Sequence, residues 1–216
     1  MKNILVIGMG RFGIHIVQEL ANLKCDIMAV DTSEVKLRNV SEYVTKTVIG
    51  NATDIEFMKT LGVNNFDDCI VAIGDNFQNS LLTVLNLKEL GAKRITARAA
   101  FEPQEVLLEK IGADMVVYPE KQLARQTALQ CGTDTIYDYM DLDDDFGIYE
   151  LGVPEKWVGK TIQELDLRKK YNINIIGAKK GTKVKMIMHP GFELRADERI
   201  LIAAKSEDMN KIAGAL

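Results

Sequence analysis

Residues 3–31 constrain this chain more than any other stretch. Ile4 to Ile7 form an apolar run of strand length. Gly8, Gly10 and Gly13 follow in a G-x-G-x-x-G, then comes a helical run, and Asp31 closes a second apolar run, Met28-Ala29-Val30. The acid falls about 20 residues beyond the glycines, as a dinucleotide fingerprint requires. Gly8 permits the tight turn, Gly10 lets backbone approach a pyrophosphate, and Gly13 lets the helix pack close to the strand. The helix start then offers free N–H groups, backed by the helix dipole, to phosphate. Asp31 is placed to accept hydrogen bonds from ribose hydroxyls and would repel a 2′-phosphate. NAD or an adenine mononucleotide is therefore favoured over NADP.

The pattern repeats along the first part of the chain. Strands are predicted over Ile4–Ile7, Asp26–Val30, Thr47–Ile49, Cys69–Ile73, Arg94–Ala97 and Met115–Tyr118, with helices between them. Phe12, Ile16, Val17, Leu20 and Leu23 give the first helix one apolar face. Pro103 opens a later helix, while Gly62, Gly91 and Gly112 end others. Six strands alternating with helices predict an α/β domain, a Rossmann-type doubly wound parallel sheet. Ligands on such sheets lie beyond the carboxyl ends of the strands, which is where Gly8, Asp31, Asn51 and Gly74 all fall.

A further helix is predicted over Gln122–Cys131, to cover the sheet or pack on another subunit. The acidic run Asp134, Asp138, Asp141, Asp143, Asp144 and Asp145 then reads as a solvated linker or edge rather than a metal site, since it lacks a glycine-punctuated calcium loop. Beyond it the pattern changes. Strands over Gly147–Val153, Asn174–Ala178, Val184–Met188 and Ile200–Ala204 surround a short helix carrying Val158, Ile162, Leu165 and Leu167, and Ser206 caps a terminal helix. The predicted organisation is a nucleotide-binding domain over 1–132, an acidic linker over 133–145 and a small α+β module over 146–216. A module of that size favours docking or dimerisation.

With 216 residues, net charge −4 and charged residues at 27%, the chain carries no nucleic-acid footprint. No apolar stretch is long enough to cross a membrane, and the amino terminus enters a strand without a signal-peptide pattern, so a cytoplasmic protein is expected. Cys25, Cys69 and Cys131 are read as reduced, mostly buried thiols. A dehydrogenase is the obvious expectation for this fold, but its chemistry is missing. His15 and His189 are the only imidazoles, one within the first helix and one in a Pro-Gly turn, and neither is read as catalytic. The chain is expected to bind a nucleotide and report it without turning anything over. An NAD-dependent oxidoreductase or NAD(H) redox sensor is the alternative. Arg11 projects from the phosphate-binding turn, where it could neutralise a phosphate beyond the pyrophosphate or one bound by an adjacent subunit. Glu120, at the sheet's carboxyl edge, could hold Mg²⁺ or Ca²⁺ between phosphates or cap the following helix.

Ile7-Gly8-Met9-Gly10-Arg11-Phe12-Gly13, Ala29-Val30-Asp31, Gly50-Asn51-Ala52-Thr53, Val71-Ala72-Ile73-Gly74, and Ile111-Gly112-Ala113-Asp114 with Pro119-Glu120-Lys121 together resemble the RCK (regulator of K⁺ conductance) subunits of bacterial Ktr and Trk potassium transporters. The distal module is similar to that family's RCK-C (TrkA-C) domain. Arg11 and the single nucleotide unit make the chain more similar to the ATP-responsive Ktr type than to the NAD-responsive Trk type. The resemblance implies a cytosolic gating subunit that dimerises and then forms an octameric ring beneath a membrane potassium-translocating protein. It also implies a nucleotide site for ATP or ADP, alternatively NAD or NADH, built from Gly8, Gly10, Arg11, Phe12, Gly13, Asp31, Thr32, Asn51, Ala52, Thr53, Ile73, Gly74, Arg98 and Glu120. Arg11 would reach the terminal phosphate across a dimer interface, and Glu120 would help place a divalent cation. In the distal module Arg168, Asn174, Ile175, Ile176 and Pro190 resemble a cyclic di-AMP pocket; the residues alone fit equally a dimer core with a surface arginine.

Overall fold

Successive side chains of a strand point to opposite faces, so a strand that is apolar throughout needs cover on both sides. Asn3–Ile7 has it. Leu5 and Ile7 join one core with Val30, Met58, Val84 and Leu87, while Ile4 and Val6 join another with Val17, Ile27, Ala29 and Leu37. In the computed structural model, which describes residues 1–143, 145–186 and 189–213, this strand is β1, inside a six-stranded parallel sheet. Its strands β1 (Asn3–Ile7), β2 (Asp26–Asp31), β3 (Lys46–Ile49), β4 (Asp68–Val71), β5 (Ile95–Arg98) and β6 (Met115–Val117) lie in the order β3-β2-β1-β4-β5-β6. Helices α1 (Arg11–Asn22), α2 (Glu34–Arg38), α3 (Ile55–Thr60), α4 (Phe77–Glu89) and α5 (Glu102–Lys110) link them, and α6 (Pro119–Gly132) follows β6. This is the expected doubly wound sheet. Its strand order reverses between β1 and β4, where Ile7 aligns with both Val30 and Val71, so the strand ends are level at the switch point.

Local chemistry sets the helix starts. Asp54 caps α3 by accepting from the N–H groups of Glu56 and Phe57, and Asn76 caps α4 by accepting from Asn79 at 3.0 Å. Leu23, expected on the apolar face of α1, is instead its carboxyl-terminal cap and is 73% exposed.

The chain divides into two units, Met1–Lys121 and Gln122–Leu216, at a point inside α6 rather than at residue 132. The second unit contains β7 (Ile136–Asp141), β8 (Phe146–Gly152), α7 (Ile162–Leu165), α8 (Leu167–Tyr171), β9 (Asn174–Lys180), β10 (Lys183–Met186), β11 (Arg199–Lys205) and α9 (Ser206–Ala213). Its antiparallel sheet runs β10-β9-β11-β8-β7. Tyr149 and Leu151 of β8 and Ile200 and Ile202 of β11 face a core with Trp157, Leu165, Leu167, Met209 and Ile212. Glu150, between the two inward residues of β8, lies on the opposite face and is 5% exposed. Its carboxylate is held by Lys179 at 2.6 Å and Arg199 at 2.9 Å. Burial pushes the Glu150 pKa up, and the hydrogen bonds from Arg199 and Lys179 outweigh it, so the carboxyl sits below its ordinary range.

Three expectations change. Residues 133–145 are not a linker: they contain β7, the edge strand of the second sheet. The single helix expected near Leu165 is two, because Asp166 between them is left-handed at φ 46°. Cys131 is exposed and Cys25 intermediate, leaving Cys69 as the buried thiol; all three are unbridged. The carboxyl end of the strand expected over 184–188, together with Asp144 of the acidic run, lies outside the described residues.

Candidate functional site

A cleft of about 970 Å³ opens in the first unit where the carboxyl ends of the central strands meet. Its floor is the turn after β1. Gly8 takes a φ of +95°, a region an L side chain rarely adopts, while its N–H donates to the Val30 carbonyl at 2.8 Å. Gly13 carries a different constraint: a Cβ there would overlap the Gly8 carbonyl oxygen and stand 3.3 Å from the Ala72 Cβ. A Cβ at Gly10 would meet nothing within 4 Å. Helix α1 starts after Gly10 with no side-chain cap and no acid in its first turn, so its leading N–H groups have no partner from a capping side chain.

Asp31 is 9% exposed and fixed from two directions. Its Oδ2 accepts from the N–H of Met9 at 2.7 Å and its Oδ1 from the N–H of Ser33 at 2.8 Å. A carboxylate accepts at about four positions, so two remain for a ligand. Asn51 shapes the loop after β3 by accepting from the N–H of Thr53 at 3.1 Å and from its hydroxyl at 2.9 Å, while the Ala52 carbonyl accepts from Asn86 at 3.0 Å.

The charged groups differ in their partners. Arg11 is exposed, and its guanidinium makes no ion pair or hydrogen bond among the described residues. Arg98, at the end of β5, is only 18% exposed and is ion-paired with Glu120 in the first turn of α6. It lies over the Phe12 ring, 5.6 Å from the centroid, and against Gly74, where a Cβ would overlap its terminal nitrogen. Its Nε is buried without an acceptor among the described residues. The Glu120 side chain turns to Arg98 and does not cap the helix. Among the described residues no three His, Cys, Asp or Glu side chains gather as a metal cluster.

Of the residues expected around a nucleotide in the first unit, all but Gly13 line this cleft. Gly13 instead sets the contact between helix and turn. His15, expected to have only a structural role in α1, is exposed and also lines the cleft, as do Lys36, Asn76 and Asn79. An Asn directly before a helical run is a cap signal that could have drawn attention to Asn76; the Met9 N–H that holds Asp31 carries no side-chain signal at all. In the second unit the structure joins two of the expected residues, with the Arg168 Nε donating to Asn174 Oδ1 at 2.7 Å. Ile175 packs on the core, Ile176 is part-buried in β9, and the Pro190 carbonyl accepts from Gln163 at 2.9 Å. A separate cavity of about 500 Å³ beside β3 lacks a glycine turn, and its Arg38 is taken by Glu34 at 2.7 Å.

Fold and cleft together define a chain whose first unit is of the dinucleotide-fingerprint class and whose second is a small antiparallel sheet domain. Residues 4–119 match the TrkA-N domain and residues 147–216 the TrkA-C domain. The chain is 40% identical over 206 residues to Ktr system potassium uptake protein C of Bacillus subtilis (strain 168), covering 95% of this chain and 92% of that one. It is 36% identical over 210 residues to Ktr system potassium uptake protein A of the same organism, covering 97% and 95%. The chain therefore belongs to the TrkA-N/TrkA-C family, that of the Ktr potassium uptake proteins. Among solved structures, the GsuK channel bound to NAD superposes with a TM-score of 0.68 at 20% identity, over 96% of this chain and 38% of that one, a likeness of fold.

Proposed function

We propose that this protein is a gating subunit of a potassium uptake system: it binds an adenine nucleotide in the cleft of the first unit and controls a separate membrane subunit that translocates potassium. The observation that carries the reading is that one cleft presents both Asp31, locked by the Met9 and Ser33 N–H groups, and Arg11 at the start of α1, which has no partner among the described residues. Asp31 receives the ribose; the helix start receives the first phosphates; Arg11 answers to the last one. A guanidinium at a helix amino terminus opposes the dipole, and a phosphate placed between them reverses that cost. Gly10 fits the same reading, because no atom of the described residues demands a glycine there and a pyrophosphate would.

Glu120 supplies one hard oxygen donor, which suits Mg²⁺ or Ca²⁺ shared with nucleotide phosphates and not one caged by protein alone. Such an ion, when bound, would offset phosphate charge, and Glu120 is the residue that would hold it. The protein acts as a homodimer within an octameric ring, at the inner face of the membrane through its transporter partner. Among the described residues no helix is long and apolar enough to cross a membrane. Arg168, Asn174, Ile175, Ile176 and Pro190 form a second site, for cyclic di-AMP. Gating requires only that ATP and ADP prefer different ring shapes to different degrees; equal affinity for both shapes moves nothing.

A second reading, an NAD(H) sensor, is favoured by the NAD in the channel of similar fold. Calorimetry of the purified chain with ATP, ADP, NADH and cyclic di-AMP, beside light scattering, separates the two. The gating reading expects ATP and ADP to bind a large assembly without turnover. A monomer that ignores ATP and ADP and oxidises NADH overturns it.

A further inference from the structure

Arg98 and Glu120 carry information that the nucleotide reading does not use. The guanidinium has five N–H donors, and the structure spends one on Glu120 while burying the Nε with no acceptor. A buried donor left unpaired is costly, so the arrangement is a compromise among the groups of this chain. Gly74 and the Phe12 ring hold the guanidinium at the cleft wall, and Gly74 has to be glycine for it to lie there. Glu120 is 54% exposed, so water can solvate its carboxylate when Arg98 turns away; Arg98, at 18%, depends on a partner. The two members of the pair therefore lose unequally when it opens. The carboxylate can be left to solvent or to a cation, and the guanidinium needs another anion.

We propose that Arg98 is a latch on Glu120. While the pair is closed the carboxylate is withheld from a divalent cation, and the phosphates of a bound nucleotide open it by taking the guanidinium. The inference rests on the nucleotide reading above and adds a coupling to it. Metal affinity at Glu120 rises when phosphate is present, and by thermodynamic reciprocity the metal strengthens nucleotide binding by the same factor. It also follows that Glu120 competes with the nucleotide for Arg98 when no metal is present.

The test is a double-mutant cycle on the full chain, with ATP titrated calorimetrically in EDTA. Opening a partly exposed, charge-assisted pair sets the scale at about 3- to 10-fold. Glu120→Gln frees Arg98 and should tighten metal-free ATP binding by about that factor, while Arg98→Gln should weaken it. In the Arg98→Gln background the same Glu120→Gln change should give less than about a twofold gain. Simple repulsion between Glu120 and phosphate predicts the full gain in both backgrounds, and that result overturns the latch. A wild-type chain that binds no ATP in EDTA or in Mn²⁺ overturns the nucleotide reading itself. Mn²⁺ titration of the chain without nucleotide is the second measurement. Arg98→Gln should bind Mn²⁺ more tightly than wild type, and equal affinity counts against the latch.

Discussion

Gly10 and Gly13 belong to one motif, yet the structure assigns them different work, and alanine at each separates the two. At Gly13 the new Cβ would overlap the Gly8 carbonyl oxygen, standing 3.1 Å from the Gly8 carbonyl carbon and 3.3 Å from the Ala72 Cβ. None of these atoms is the end of a flexible side chain. Helix α1 must move, and Val17, fully buried one turn on, must move with it. Overpacking of this kind costs about 1–3 kcal/mol, and the better helix propensity of alanine recovers under about 1 kcal/mol in a first turn. A net loss of about 2 kcal/mol lowers the melting temperature by roughly 4–8 °C for a chain of this length. At Gly10 nothing lies within 4 Å, so alanine costs only its poorer capping, about 0.5–1 kcal/mol. Its effect should fall on binding, with ATP affinity lowered at least about tenfold, or 1.4 kcal/mol, by a methyl group in the path of the pyrophosphate. Scanning calorimetry and ATP titration on both variants check this. Gly13→Ala melting with wild type, or Gly10→Ala binding ATP as wild type does, refutes the division of labour.

Two further outcomes follow from the second unit and from the core. Glu150→Gln should destabilise the protein by about 2 kcal/mol at pH 7, because Lys179 and Arg199 both lose a charge-assisted bond. The folded pKa is lowered, so the Glu150 contribution is whole above the ordinary glutamate value of about 4.3 and is lost as the pH falls through the lower folded value. Denaturant titrations of wild type and variant should therefore differ at pH 7 and converge in acid; a constant gap counts against the pairing. Cys69 is buried, and burial, helped by the neighbouring Asp68, pushes its thiol up to about 12. It should resist a thiol reagent until the first unit unfolds, and mass mapping that finds it modified in native protein contradicts the packing.

The first unit was largely legible because its signals are local and mutually consistent. One strand, three glycines and one acid within 31 residues determine β1, α1, β2 and the turn that floors the cleft. The second unit hid one strand. Ile136 and Tyr139 of β7 are both buried but three residues apart, because the pairing with β8 shifts at a bulge between Ile136 and Asp138. That spacing breaks the period of two, and the surrounding aspartates make the segment resemble a linker. The break at Asp166 left a trace in the sequence: Leu165 and Leu167 are both apolar and both buried, a spacing that a continuous helix does not give. The Arg98–Glu120 pair joins the end of one strand to the start of a helix 22 residues on, and no local pattern announces it.

In the proposed reading the cleft counts phosphates through Arg11. The direct measurement is the ratio of ATP to ADP affinity in wild type and in Arg11→Ala, each by titration calorimetry under the same salt and divalent conditions. A charge-assisted hydrogen bond of about 1.5–3 kcal/mol corresponds to roughly 10- to 150-fold. Arg11→Ala should lose that much ATP affinity while ADP affinity changes by less than about threefold, so the ratio collapses toward one. An unchanged ratio contradicts the claim.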